Sequence, residues 1–167
     1  MREISGSEIE IYEKIREKVF YYVMYQKRTE AEVRRKFLPI FKKYNISEET
    51  CTDLLEELKE KGYIDDKEFV RRKFGACMNF KVSSAKEIKY SMIQKGISTD
   101  LIDEYMEEKH DKIYQHEIVA AKRIYDKKCE TKSDEEIKMY LRKKGFSEDA
   151  INELWESVLK KIWIYSY

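Results

Sequence analysis

Apolar residues recur along this chain at helical spacing, not in the strict alternation of a strand. From Glu8 to Gln26 they fall at Ile11, Ile15, Val19, Tyr22 and Val23. From Asp66 to Lys81 they fall at Phe69, Val70, Phe74, Cys77 and Met78, and from His110 to Lys128 at Ile113, Ile118, Ala121, Ile124 and Tyr125. Each pattern predicts an amphipathic helix. The last two helices are each followed by the same short text, EIKYSMIQKGIS from Glu87 to Ser98 and EIKMYLRKKGFS from Glu136 to Ser147. The copies lie 49 residues apart, and identity continues at Asp100 and Asp149, Ile102 and Ile151, and Glu104 and Glu153.

The repeated text has a physical reading. Ser84 to Glu87 and Ser133 to Glu136 are capping boxes, in which the serine hydroxyl and the glutamate satisfy two orphan amides of a helix start. Ile88, Met92 and Ile93 then form an apolar stripe, as do Ile137, Met139, Tyr140 and Leu141 more loosely. Gly96 and Gly145 stand where the helix must stop, at the left-handed position glycine takes at low cost. Ile97-Ser98 and Phe146-Ser147 restart a second helix, with an apolar residue, a serine cap and acids in the first turn. A third, more worn copy lies upstream: Thr29 to Glu32 is its box, and Ile46-Ser47 its restart. It carries about one extra helical turn near Leu38 to Phe41, where Pro39 is expected to kink the helix. Asn45 takes the glycine position, and Asn tolerates the left-handed region. With a preceding helix for each copy, the pattern predicts an all-α fold: three tandem three-helix repeats at 1–62, 63–108 and 109–167. Units this small bury modest cores, so they are expected to stack on their neighbours into an elongated, curved array.

Composition fits long helices on short connections, with only 5 glycines and 1 proline in 167 residues. The three cysteines form no CxxC, and free buried thiols in a reducing compartment are expected. The longest apolar run, Val19 to Tyr25, is too short for a membrane span, and a cytoplasmic protein is expected. Candidate chemistry is absent. There is no phosphate-binding glycine loop, and His110 and His116 are six residues apart, which suits no familiar zinc pattern. They are expected on the surface. Asp65-Asp66 reads as a turn in which one carboxylate caps the next helix. No catalytic residue, cofactor or metal is predicted. The aromatic tail, Trp163 to Tyr167, is expected to pack on the last repeat.

Charge changes this picture by its placement, since the net charge is only +1. The middle helix of each repeat is basic: Arg34, Arg35 and Lys36 with Lys42 and Lys43; Lys86, Lys89 and Lys95; Lys138, Arg142, Lys143 and Lys144. The last helix of each begins acidic, at Glu48, Glu49 and Asp53, at Asp100, Asp103 and Glu104, and at Glu148, Asp149 and Glu153. Helix dipoles and pairing between neighbouring helices account for part of this segregation. The remainder is expected to align as a positive track, for nucleic acid or for an acidic groove on another protein.

Three segments match a family signature in order. Gly62-Tyr63-Ile64-Asp65-Asp66 through Phe69-Val70 resembles the G-Y-[IL]-D-D-x-x-F-[AV] signature of the RecX family of recombinase regulators. Glu87-Ile88-Lys89 through Lys95-Gly96-Ile97 resembles that family's E-L/I-x-x-x-L-x-x-K-G-I segment, and Leu141 to Phe146 its closing L-x-x-[RK]-G-F segment. The resemblance runs from about Gln26 to Leu159. It implies a non-enzymatic monomer that binds the RecA filament, and DNA weakly, and lowers the recombinase's ATPase, strand-exchange and co-protease activities. Arg34, Arg35, Lys36, Lys86, Lys89, Lys95, Lys138, Arg142, Lys143 and Lys144 are then the candidate partner contacts. The motif residues Gly62, Tyr63, Ile64, Asp65, Asp66, Phe69, Gly96 and Gly145 are expected to be structural. Pro39 and the inserted turn depart from the pattern and put the first repeat's contacts in doubt. Two rivals stand beside this reading. The segment Leu54 to Ile64 also resembles the entry to the wing of a winged-helix transcription regulator, which requires a hairpin after Ile64. A helical scaffold for an unrelated protein is the other.

Overall fold

Polar caps and left-handed turns set the helix boundaries. A computed structural model of the chain describes residues 6–80 and 82–165, with side chains for 8–79 and 82–160. Among these residues are nine α-helices and no strand: α1 (Gly6–Tyr25), α2 (Glu30–Lys43), α3 (Glu48–Glu60), α4 (Asp66–Phe80), α5 (Ala85–Ile93), α6 (Thr99–Glu108), α7 (His110–Lys128), α8 (Asp134–Lys144) and α9 (Glu148–Tyr165). The fold is all-α as expected, and α4 occupies the segment where a winged helix would need its hairpin. No helix among the described residues is long and apolar enough to cross a membrane.

Thr29, Ser84 and Ser133 each form a complete capping box with Glu32, Glu87 and Glu136. Ser47 and Ser98 cap α3 and α6 through their hydroxyls. The turns fall where glycine was expected, with φ of 79° at Gly96 and 84° at Gly145, and Asn45 takes the same region at 55°. α2 runs on as one helix through Pro39.

Two compact units divide the chain: Met1–Val70 with Lys95–Ile97, and Arg71–Gln94 with Ser98–Tyr167. In the first, Ile15, Val19 and Val23 of α1 pack with Val33, Phe37 and Phe41 of α2, and with Cys51, Leu54, Leu55 and Leu58 of α3. In the second, Ala120, Ala121 and Ile124 of α7 meet Ile137 and Leu141 of α8 and Ile151, Leu154, Trp155 and Val158 of α9. Each buried aliphatic of this kind contributes about 1.5–3 kcal/mol.

Four expectations are corrected. Met139 and Tyr140 stand exposed, since Ile137 and Leu141, four apart, already supply the buried stripe of α8. Ile93 is likewise exposed, one position past the face set by Ile88 and Met92. Cys129 is exposed, while Cys51 and Cys77 are buried free thiols. His116 is half-buried, with a buried Nε2 that has no hydrogen-bond partner; desolvation holds its imidazole below its ordinary pKa. The side chains of Trp163 to Tyr167, and with them their packing, lie outside the described residues.

Candidate interaction surface

In the first unit, the Lys-Gly turn sits on a capping box. The Thr29 hydroxyl is fully buried. It accepts from the Glu32 amide at 3.1 Å and donates to the Lys95 carbonyl at 2.7 Å. The Glu32 carboxylate accepts from the Thr29 amide and from the Lys95 ammonium, the latter at 2.7 Å. Gly96 lies so close that a Cβ there would fall 2.2 Å from the Cβ of Ala31. Asp66 completes the cluster by accepting from the Glu30 amide at 3.1 Å.

The second unit repeats the arrangement with other residues. Ser84 accepts from the Glu87 amide and donates to the Lys144 carbonyl at 2.7 Å. The Lys144 ammonium is 3.2 Å from Glu87. A Cβ on Gly145 would fall 2.7 Å from the Cβ of Lys86. Glu117 accepts from the Ala85 amide at 2.7 Å, as Asp66 does from Glu30. In both units the cap, first and third amides of the middle helix therefore find acceptors, which a buried helix start requires. The third box differs: Ser133 is exposed, and among the described residues its hydroxyl bonds with its own Glu136 and with no distant carbonyl.

Glu117 is the residue that sequence reading missed. It is 2% exposed, and also accepts from the amide and hydroxyl of Ser147 at 3.2 and 2.6 Å. One carboxylate thus serves the N-termini of α5 and α9, where helix dipoles favour negative charge. The available signal was an acid four residues after Ile113 and four before Ala121, inside an apolar stripe. The adjacent aspartates divide their roles. Asp65 caps α4 by accepting from the Glu68 amide at 2.8 Å, and Asp66 reaches α2. Gly62 ends α3 with φ 71°, Tyr63 packs edge-on against Phe20, Ile64 is buried and Phe69 half-buried.

Most of the candidate cations have partners. Arg34 meets Glu30 at 3.4 Å and Glu48 at 4.0 Å, and Lys36 lies over the Tyr22 ring at 3.9 Å. Lys89 pairs with Asp103 at 2.5 Å, Lys138 with Glu135 at 2.9 Å, and Arg142 with Glu148 through two bonds of 2.7 and 3.0 Å. The basic middle helices therefore meet the acidic starts of α3, α6 and α9. Such exposed pairs are worth little, about 0–1 kcal/mol each. Lys95 and Lys144 belong to the turns described above. Arg35, Lys86 and Lys143 make no ion pair among the described residues. Among those residues no cluster of three or more His, Cys, Asp or Glu side chains could hold a metal ion.

The half-buried acids around the first capping box give a pH expectation. Burial opposes ionisation of Glu32, but the Lys95 ammonium and the Thr29 amide outweigh it and hold the carboxyl below its ordinary 4.5. Glu30 is held down in the same way, against burial, by Lys59 and Arg34. Stability from such groups is complete above 4.5 and is lost as pH falls through the folded value. Asp66 has the opposite sign, because burial raises its carboxyl above 3.8 and its protonation favours the folded state. With more groups held down than up, the thermal midpoint should fall between about pH 5 and pH 3. A Glu32→Gln variant should show a shallower fall in a calorimetric pH series; equal slopes would contradict the assignment.

No protein-family model matches the chain. It is 32% identical over 73 residues to the regulatory protein RecX of Chlorobium phaeobacteroides, covering 44% of this chain and 48% of that relative. It is 38% identical over 77 residues to the regulatory protein RecX of Clostridium botulinum, covering 46% of this chain and 34% of that relative. The matches thus span about half the length of the first relative and a third of the second. The crystal structure of RecX from Lactobacillus salivarius superimposes with a TM-score of 0.74 at 22% identity, over 89% of this chain and 97% of that one. A second crystal structure of regulatory protein RecX gives 0.72 at 20% identity, over 92% and 80%. At those identities the structures speak for the fold, and the sequence matches speak for kinship. In sequence and in fold, the relatives of this chain are RecX-family regulatory proteins.

Proposed function

We propose that this chain is a non-catalytic regulator that binds the filament of a RecA-type recombinase on DNA and lowers its ATPase, strand-exchange and co-protease activities. The observation that carries the reading is the match to proteins named regulatory protein RecX, joined to their fold. In this reading residues 1–62, 63–108 and 109–167 act as three tandem units in a cytoplasmic monomer. Several weak charged contacts on one chain then act together through effective concentration. Arg35, Lys86 and Lys143 are the first contacts to consider, because binding through them breaks no ion pair of the free protein. Single-strand-dependent ATP hydrolysis by the cognate recombinase should fall when this protein is added at near-stoichiometric ratio. An unchanged rate in a several-fold excess of folded protein would overturn the proposal.

A further inference from the structure

Two of the three capping boxes hold a Lys-Gly turn, and the third stands open. In each filled box the hydroxyl donates to the lysine carbonyl at 2.7 Å, and the box glutamate meets that lysine's ammonium. The glycine brings no Cβ against the second residue of the helix, Ala31 or Lys86. The third box, Ser133 to Glu136, has the same parts and is exposed at all four residues. Its hydroxyl donates to its own Glu136 at 3.1 Å. Among the described residues Glu136 pairs with Lys132 alone, at 3.9 Å.

A turn of the matching kind stands open on the first unit. Among the described residues the left-handed positions are Asn45, Gly62, Gly96 and Gly145. Gly96 and Gly145 are docked, and Asn45 carries a Cβ. Lys61-Gly62 remains, exposed at both residues. Nothing lies within 4 Å of a Cβ built on Gly62. The Gly62 amide bonds to the Lys59 carbonyl and the Tyr63 amide to that of Leu58, both at 2.9 Å. Gly145 closes α8 with the same spacing, its amide on Arg142 at 2.9 Å and the next on Leu141 at 3.1 Å. The two turns therefore share one hydrogen-bond pattern. No backbone amide among the described residues claims the Lys61 carbonyl. The Lys61 ammonium pairs with Glu57 at 2.5 Å but is half exposed, so releasing it costs little.

We infer that Lys61-Gly62 of one copy of this chain docks on the Ser133 box of a second copy. Ser133 donates to the Lys61 carbonyl, and the Lys61 ammonium meets Glu136, as Lys95 meets Glu32 within one chain. Asp134 and Glu136 set negative charge against that lysine. Box and turn belong to different units, so the contact joins copies head to tail. One contact of this size is weak. The chain is single when dilute, as in the regulatory reading, and pairs when copies are crowded. The inference goes beyond that reading and stands without it.

The test is sedimentation equilibrium of the full chain, with no recombinase present, from about 10 μM to 1 mM, the range of weak affinities. The average mass should rise from that of the monomer with concentration. Ser133→Asp keeps a good helix cap but has no hydroxyl proton to donate. It should weaken association at least about tenfold, the effect of losing one hydrogen bond and placing a carboxylate against a carbonyl. Ser133→Thr should associate like the parent, since Thr29 fills the same role in the first box. Gly62→Ala should also stay monomeric, because its methyl meets open space in the free chain but the second copy's helix in the docked one. Mixed together, the Ser133→Asp and Gly62→Ala variants should pair one to one, each supplying the surface the other lacks. Circular dichroism should show every variant folded. A parent that stays monomeric throughout would overturn the inference, as would association that survives both substitutions or a mixture that fails to pair. Because no recombinase is present, these failures leave the ATPase test above untouched.

Discussion

Replacing Glu117 with alanine should destabilise the protein by about 3–5 kcal/mol, since it takes the acceptor from part-buried donors at two helix starts. Three donors lose their acceptor together: the Ala85 amide and the amide and hydroxyl of Ser147. A loss of that size is a large share of the roughly 5–15 kcal/mol that holds an ordinary domain together. Glu117→Gln should cost less, about 1–3 kcal/mol, because its amide keeps one acceptor oxygen and loses the charge that the two helix N-termini favour. Urea unfolding followed by circular dichroism measures both. An alanine variant within about 1 kcal/mol of the parent, the level of an ordinary substitution, would show that the carboxylate does not hold α5 and α9 in place.

Gly96→Ala should be the second most damaging change, at about 2–5 kcal/mol, from a left-handed backbone and an overpacked contact together. The new methyl would fall 2.2 Å from the Cβ of Ala31, and that carbon is fixed to the backbone of α2. Gly62 supplies the control. Its φ is 71°, close to the 79° of Gly96, yet nothing lies within 4 Å of a Cβ built there. Gly62→Ala should therefore cost only the backbone strain, about 1–2 kcal/mol. Adding Ala31→Gly to the Gly96→Ala variant should recover part of the loss, and a double-mutant cycle measures that coupling. Equal costs at Gly62 and Gly96 would mean that the close approach carries no energy.

Helices, caps and turns were legible because each depends on residues near one another in the chain. The boxes at Thr29, Ser84 and Ser133 and the glycines at 96 and 145 stand where spacing placed them. What spacing did not reveal is that each motif has a second partner far away. Lys95-Gly96 reads as a helix stop, but its carbonyl binds Thr29, 66 residues earlier. Lys144-Gly145 binds Ser84, 60 residues earlier. Two boxes followed by two Lys-Gly turns at similar separations were a usable signal, visible only once the turn is known to be a docking element. The basic middle helices show a related limit. Their segregation from acidic neighbours was plain, but sequence could not tell which cations are already paired. Arg142 and Lys89 proved to be held by Glu148 and Asp103, while Lys86 and Lys143 make no ion pair among the described residues.

The central claim, that this chain engages a recombinase filament, is tested most directly by co-sedimentation. Filaments of the cognate recombinase, assembled on single-stranded DNA with a slowly hydrolysed nucleotide, are pelleted with this protein present. The account predicts that the protein pellets in a saturable amount with the filament, and far less with recombinase alone or with DNA alone at the same salt. Protein that stays in the supernatant at every filament concentration, while its circular dichroism shows it folded, would contradict the claim.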